Sequence, residues 1–248
     1  MHSAFEGKTV VVTGGTQGIG GAITSLFLEQ GANVCAFFHS DEQAAEQLRE
    51  HAGEHRERLL TLRVDVSDYH AVSSAFDMLR VRWGHANILV NNAGVHCPVS
   101  PFEQHDNQTW SDVFSTNLFG VVFATKIVIP AMKEARWGRI INISSIAATE
   151  GLPNGSPYAA SKASLLGLTR SLAKEVAPYA ITVNALLPGM TETRMADALP
   201  REAYDRILST IPIGRTATST EVASLVGFLA SDAANYVSGS LIHVSGGR

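Results

Sequence analysis

Tyr158 and Lys162 stand four residues apart, a phenol and an amine at a spacing that could do proton chemistry. On an α-helix that spacing puts both on one face, with about 6 Å between Cβ atoms. Ser156 is expected to cap this helix, and Pro157 suits its first turn, where the amide has no intrahelical partner. A free phenol titrates at about 10, too high for general acid–base work near neutrality. A cation about 4 Å away would favour the phenolate by up to roughly 4 kcal/mol at an effective dielectric of about 20. That equals about three pKa units, enough to bring the phenol to about 7. The plain alternative is an aromatic in a core and a lysine in solvent. The elements around the pair must decide between them.

Residues 8–13 read as a buried strand, since Thr9, Val10, Val11 and Val12 are all β-branched. The strand runs into Thr-Gly-Gly-Thr-Gln-Gly-Ile-Gly at 13–20, and a helical pattern follows to Gln30. Strand, glycine-rich turn and helix form the context in which such glycines bind a pyrophosphate. Gly14 allows the turn, Gly18 the approach of the phosphates and Gly20 close helix–strand packing. The helix start offers free amides and a positive dipole end. A tight turn without a ligand is the competing reading. A second strand, at 33–38, bears on the cofactor. NAD enzymes usually carry an acid at its end, for the ribose 2′-hydroxyl. Here the strand ends Phe38-His39-Ser40, with Asp41 about three residues late and starting the next helix. His39 and Ser40 can donate to a 2′-phosphate, so NADP(H) is favoured and NAD(H) is the alternative. Ser40 also reads as a capping box with Gln43. Gln17 stands in the glycine loop, which has no Arg or Lys.

The alternation continues. Helices are expected at 41–58, 68–83, 109–135 and 220–230. Strands are expected at 59–64, 87–90, 139–143, 181–186 and 241–244. The third strand leads to Asp65-Val66, the fourth to Asn91-Asn92-Ala93-Gly94, the fifth to Ser144-Ser145 and the sixth to Pro188-Gly189. Asn117 is the conspicuous polar residue of the apolar stretch 109–135, and hydrogen bonding to backbone would account for it. Such alternation implies an α/β doubly wound parallel sheet that binds ligands at its carboxyl edge. No linker or repeat divides the chain, so residues 1–248 are expected to form one domain. Residues 190–212, with Pro200 and Pro212, read as a flap over the site.

Composition narrows the function further. A chain of 248 residues with 45% hydrophobic content can bury a substantial core. A net charge of −4 without a basic run argues against nucleic acid. The scattered histidines show no metal-ligand spacing, so no metal is expected. The N-terminus is no signal peptide. The longest apolar stretch, 118–131, is broken by Lys126 and too short to span a bilayer. Cys35 and Cys97 form no disulfide framework or zinc pattern. A soluble cytoplasmic protein is the expectation.

Taken in order, TGxxxGIG at 13–20, Asp65-Val66, NNAG at 91–94, Asn117, Ser145, Tyr158-x-x-x-Lys162 and Pro188-Gly189 resemble the motif set of the short-chain dehydrogenases/reductases. The resemblance covers the whole chain. It implies a Rossmann-type seven-stranded parallel sheet with helices on both faces and a nicotinamide cofactor. IINISS at 140–145, ITVN at 181–184 and IPIGR at 211–215 look most like bacterial 3-oxoacyl-thioester reductases. Roles follow from the resemblance position by position. Ser145, 13 residues before Tyr158 and so preferred to Ser144, would orient the substrate carbonyl. Tyr158 would pass the proton, and Lys162 would bind the nicotinamide ribose and hold the phenol acidic. Asn117 would hold a water linking Lys162 to solvent. Gly14, Thr16, Gln17, Gly18, Ile19 and Gly20 would line the pyrophosphate. His39 and Ser40 would meet the adenosine ribose, Asp65 and Val66 the adenine, and Asn91, Ala93 and Gly94 the nearer ribose. Pro188, Gly189, Thr191 and Thr193 would face the nicotinamide or the phosphates. A homotetramer is also implied, although Ser245 stands where an acid is usual near the C-terminus. His96 and Cys97 are placed to face the substrate, with packing as the plainer reading. The expected activity is NADPH-dependent reduction of a ketone. The alternatives are NAD-dependent oxidation of a cyclic alcohol or diol, and a cofactor-binding regulator without turnover.

Overall fold

A computed structural model describes residues 4–193 and 201–248. Seven strands build one sheet: β1 (Thr9–Thr13), β2 (Asn33–Phe38), β3 (Leu59–Arg63), β4 (Ile88–Asn91), β5 (Gly138–Ile143), β6 (Ile181–Pro188) and β7 (Leu241–Val244). Their order is β3-β2-β1-β4-β5-β6-β7, and every pairing is parallel. Such strands are buried on both faces, which explains continuous runs like Val10-Val11-Val12 in place of alternation. Val10 and Val12 face one apolar layer, shared with α1 (Gly18–Glu29), α2 (Glu42–His51) and α9 (Ser219–Ala230). Val11 faces the other, built from α3 (Tyr69–Trp83), α5 (Gly120–Ala135) and α7 (Ser156–Val176). The sheet is therefore doubly wound. Its strand order reverses between β1 and β4, where the carboxyl edge opens a crevice for ligands.

Several boundaries differ from the sequence expectation, each for a local reason. The helix expected over 41–58 ends at His51, because Gly53 takes a φ of +49°. The remainder, Gly53–Arg58, is a 3₁₀ helix. Asp41 caps α2 by accepting the Ala44 amide at 2.8 Å, so Ser40 does not serve as the cap. Gly155 holds the cap position of α7, and Ser156 is its first helical residue. The stretch 109–135 divides into α4 (Asn107–Phe114), a wide π turn (Ser115–Phe119) and α5. The whole run, Asn107–Ala135, exceeds the apolar segment 118–131 and is long and apolar enough to cross a membrane. Here it buries Val121, Ala124, Val128 and Met132 against the sheet layer, as the core helix of a globular fold does. Of the expected flap, 194–200 lie outside the described residues. The described part contains α8 (Arg201–Leu208) and the segment Ile211–Ile213, which packs on Gly246.

Candidate active site

The crevice is built around one amide. Asn92 Nδ2 donates to the carbonyls of Thr13 and Gly14 at 3.0 and 2.9 Å. Thr13 Oγ1 accepts the Asn92 and Ala93 amides, both at 3.0 Å. β4 is thus fastened to the glycine turn across the reversal point. The start of α1 packs so tightly here that a Cβ on Gly20 would lie 2.0 Å from the Gly14 oxygen. Gly20→Ala should cost about 3 kcal/mol of stability by overpacking, measurable as a lower urea midpoint.

A groove of about 610 Å³ runs along this edge. Gly14, Thr16 and Gln17 form its floor, with His39 and Ser40 at one lip. Asp65, Val66, Ala93 and Gly94 line its far wall. Thr193 lies over the glycine turn, its Cγ2 3.2 Å from where a Gly18 Cβ would stand. Ile19 points the other way and packs against the core. Asn91 is also turned inward, donating to Asn142 Oδ1 at 2.8 Å and Thr125 Oγ1 at 3.3 Å, so its amide does not reach the groove. The Pro188 carbonyl accepts the Ile146 amide, and the Gly189 amide donates to the Val244 carbonyl. Thr191 is buried, with its hydroxyl on the Gly189 carbonyl at 3.2 Å. A groove floored by the glycine turn at the start of α1 fits the phosphates of a dinucleotide.

His39 Nε2 stands 3.8 Å from Asp65. The Ser67 hydroxyl, with help from its amide, holds the Asp65 carboxyl below the usual range. Arg63 is exposed and donates Nε to the His39 carbonyl at 3.0 Å, which brings a guanidinium to this lip.

The catalytic candidates meet behind Gly94, a groove-wall residue that lies against Lys162. The Ser145 hydroxyl accepts the Ala147 amide at 3.1 Å and faces the Tyr158 phenol, where it favours the phenolate. Ser144 is buried and donates to the Lys162 carbonyl at 2.8 Å. Lys162 is buried, and its ammonium donates to the Ile143 carbonyl at 2.9 Å. Nζ is 6.0 Å from the Tyr158 ring centre. Burial decides both titrations: it pushes Lys162 down to about 8 and raises Tyr158. The Ser145 hydroxyl only partly opposes the rise.

Asn117 sits in the π turn with its amide fully committed. Oδ1 accepts the Val95 amide at 2.8 Å, and Nδ2 donates to the Val95 carbonyl and Ser161 Oγ, both at 2.9 Å. The side chain therefore straps the loop after β4 to α7. A Cβ on Gly94 would stand 3.1 Å from Lys162 Nζ, so this loop also roofs the lysine.

Comparison with known proteins agrees with this geometry. The family model described as "Enoyl-(Acyl carrier protein) reductase" matches residues 14–248. The chain is 40% identical over 244 residues to "3-oxoacyl-[acyl-carrier-protein] reductase FabG" of Salmonella typhimurium, covering 98% of each chain. It is 40% identical to the Escherichia coli protein of that name over 243 residues, and 38% identical to the Thermotoga maritima one over 248, again at 98% of each chain. The chain belongs to the short-chain dehydrogenase/reductase family. As a member it is an oxidoreductase that interconverts C=O and CH–OH with a nicotinamide cofactor. Three contributors to this short-chain dehydrogenase/reductase site, Asn92, Ser161 and Arg63, had no role in the sequence reading, and a fourth, His96, was expected at the substrate. Asn92 was visible as the doubled Asn of NNAG. Ser161 and Arg63 gave no signal, because a helical serine and an arginine on a strand are ordinary. His96 was noticed, but its partner could not be read from spacing.

Proposed function

We infer that the protein reduces the ketone of a 3-oxoacyl thioester with NADPH. The observation that carries this reading is the pair of hydroxyls, Ser145 and Tyr158, near enough that the serine acts on the phenol's titration. Two adjacent hydroxyls suit one carbonyl oxygen, which gains charge as its carbon is reduced. The relatives are named for the 3-oxoacyl reduction, and the same pair has no evident task at a carbon–carbon double bond.

The nicotinamide, when bound, supplies the hydride. Ser145 orients the carbonyl oxygen, and Tyr158 donates its proton there. The carbon thus gains a hydride and the oxygen a proton, leaving an alcohol and a phenolate. Lys162 then restores the phenol, drawing its own proton from solvent. Because the Asn117 amide is committed to Val95 and Ser161, a relay water would use a backbone carbonyl of the π turn.

Preference for NADPH rests on the absence of an acid at the end of β2 and on His39, Ser40 and Arg63 at that lip. The Asp65 carboxylate opposes a 2′-phosphate, and the Arg63 guanidinium is the group that offsets it. Arg63→Ala should weaken NADPH binding about tenfold and leave NADH unchanged. A fluorescence titration with both cofactors checks this, and equal losses for the two would remove Arg63 from phosphate recognition. Exposed Tyr69 and Phe119, joined through Phe123 on the outer face of α3 and α5, support a homo-oligomer, with a tetramer as the state to look for. Two buried free thiols, Cys35 and Cys97, suit a reducing cytoplasm.

The test is NADPH consumption with an acetoacetyl thioester beside a panel of cyclic ketones, with products identified by mass spectrometry. A 3-hydroxyacyl thioester is expected. Turnover of cyclic ketones alone would overturn the acyl-thioester reading.

A further inference from the structure

The loop after β4 touches three catalytic groups in succession. Gly94 lies against Lys162 Nζ, and both backbone polar groups of Val95 are held by Asn117. The next residue, His96, lays its ring on Tyr158, with centroids 4.4 Å apart and planes 23° from parallel. The imidazole is also held from its edge, since His96 Nδ1 is 2.7 Å from the Cys97 carbonyl. A carbonyl only accepts, so Nδ1 carries a hydrogen. The ring is thus fixed by a stack and a hydrogen bond although the residue is exposed.

We propose that His96 is a positioning residue for Tyr158, its imidazole face holding the phenol in register with Ser145. The proposal rests on the reading of Tyr158 as proton donor. The N–H groups of an imidazole lie in its plane, so they point past a ring stacked on its face. His96 therefore acts on the reaction through Tyr158 and passes no proton to it. A phenol turns about two side-chain torsions, and Ser145 acts only at its tip. The stack covers one face of the ring. One short strap, Gly94–Cys97, then sets the lysine and the tyrosine from a common backbone.

The test compares His96→Ala with His96→Phe, which keeps an aromatic plane without the imidazole chemistry. A readout independent of substrate is the fluorine NMR spectrum of protein labelled with 3-fluorotyrosine, with NADPH bound. Tyr158→Phe assigns the signal among the five tyrosines. The Tyr158 resonance should be narrow and displaced by the ring current in wild type and in His96→Phe. In His96→Ala it should move towards the free-tyrosine position and broaden. With the acetoacetyl thioester, His96→Ala should lower kcat about tenfold with NADPH affinity unchanged, and His96→Phe should recover to within about twofold of wild type. An unmoved resonance in His96→Ala overturns the proposal. So does a kcat as low in His96→Phe as in His96→Ala, or a loss confined to KM, which would make His96 a substrate contact. An active Tyr158→Phe control would instead show that the proton-donor reading itself had failed.

Discussion

Lys162→Met should abolish turnover and yet leave the fold at least as stable as wild type at pH 7. The two effects share one cause. Burial lowers the Lys162 pKa from 10.5 to about 8, so folding penalises its charged form. A drop of that size corresponds to roughly 3 kcal/mol. Between pH 8 and 10.5 the unfolded chain binds more protons at this residue than the folded one, so wild-type stability gains from rising pH there. The penalty is complete below pH 8 and gone above 10.5. Methionine removes the charge at similar volume but leaves the Ile143 carbonyl without its donor, a loss of about 1–3 kcal/mol. The net gain at pH 7 is therefore about 1 kcal/mol, and the sign reverses once wild-type Lys162 is neutral. Urea unfolding of both proteins from pH 7 to 10.5 would check it, since groups common to both cancel. A stability difference constant across that range would contradict the burial account. Turnover should fall by about 10²–10⁴, because the phenolate loses its source of protons.

What the sequence disclosed and what it hid divide along physical lines. The strands were legible because parallel strands buried on both faces are written as unbroken β-branched runs, as at Val10–Val12. The ligand-binding carboxyl edge of the sheet was legible in the polar end of the fourth strand, Asn91-Asn92. Ser145 could be preferred to Ser144 by its spacing from Tyr158, and the two are turned to opposite tasks in the fold. The π turn around Asn117 was hidden because an extra residue in a helix leaves no mark in apolar periodicity. Caps were misassigned at Ser40 and Ser156, where Asp41 and Gly155 lie one residue away. The titration of Tyr158 was misjudged for a different reason. Spacing along a helix fixes where two side chains start, whereas the charge effect depends on where they end. Lys162 reaches inward to the Ile143 carbonyl, and burial raises the phenol. Contacts between distant segments, such as His96 on Tyr158 or Arg63 on His39, have no sequence signature at all.

The central claim is that Tyr158 delivers the proton to a carbonyl oxygen oriented by Ser145. Phenylalanine at 158 keeps the ring, its stack on His96 and the packing of α7, and removes only the hydroxyl. Cofactor affinity and stability should be close to wild type, because the phenol oxygen acts on Ser145 and on no structural partner among the described residues. The most direct measurement is a single turnover: enzyme loaded with NADPH is mixed rapidly with an acetoacetyl thioester, and loss of the reduced cofactor is followed. The rate should fall by about 10²–10⁴ in Tyr158→Phe, the usual worth of a positioned general acid. A wild-type rate in the variant, with NADPH bound as tightly, would mean that the proton comes from elsewhere and that this arrangement of Ser145, Tyr158 and Lys162 is not the reaction centre.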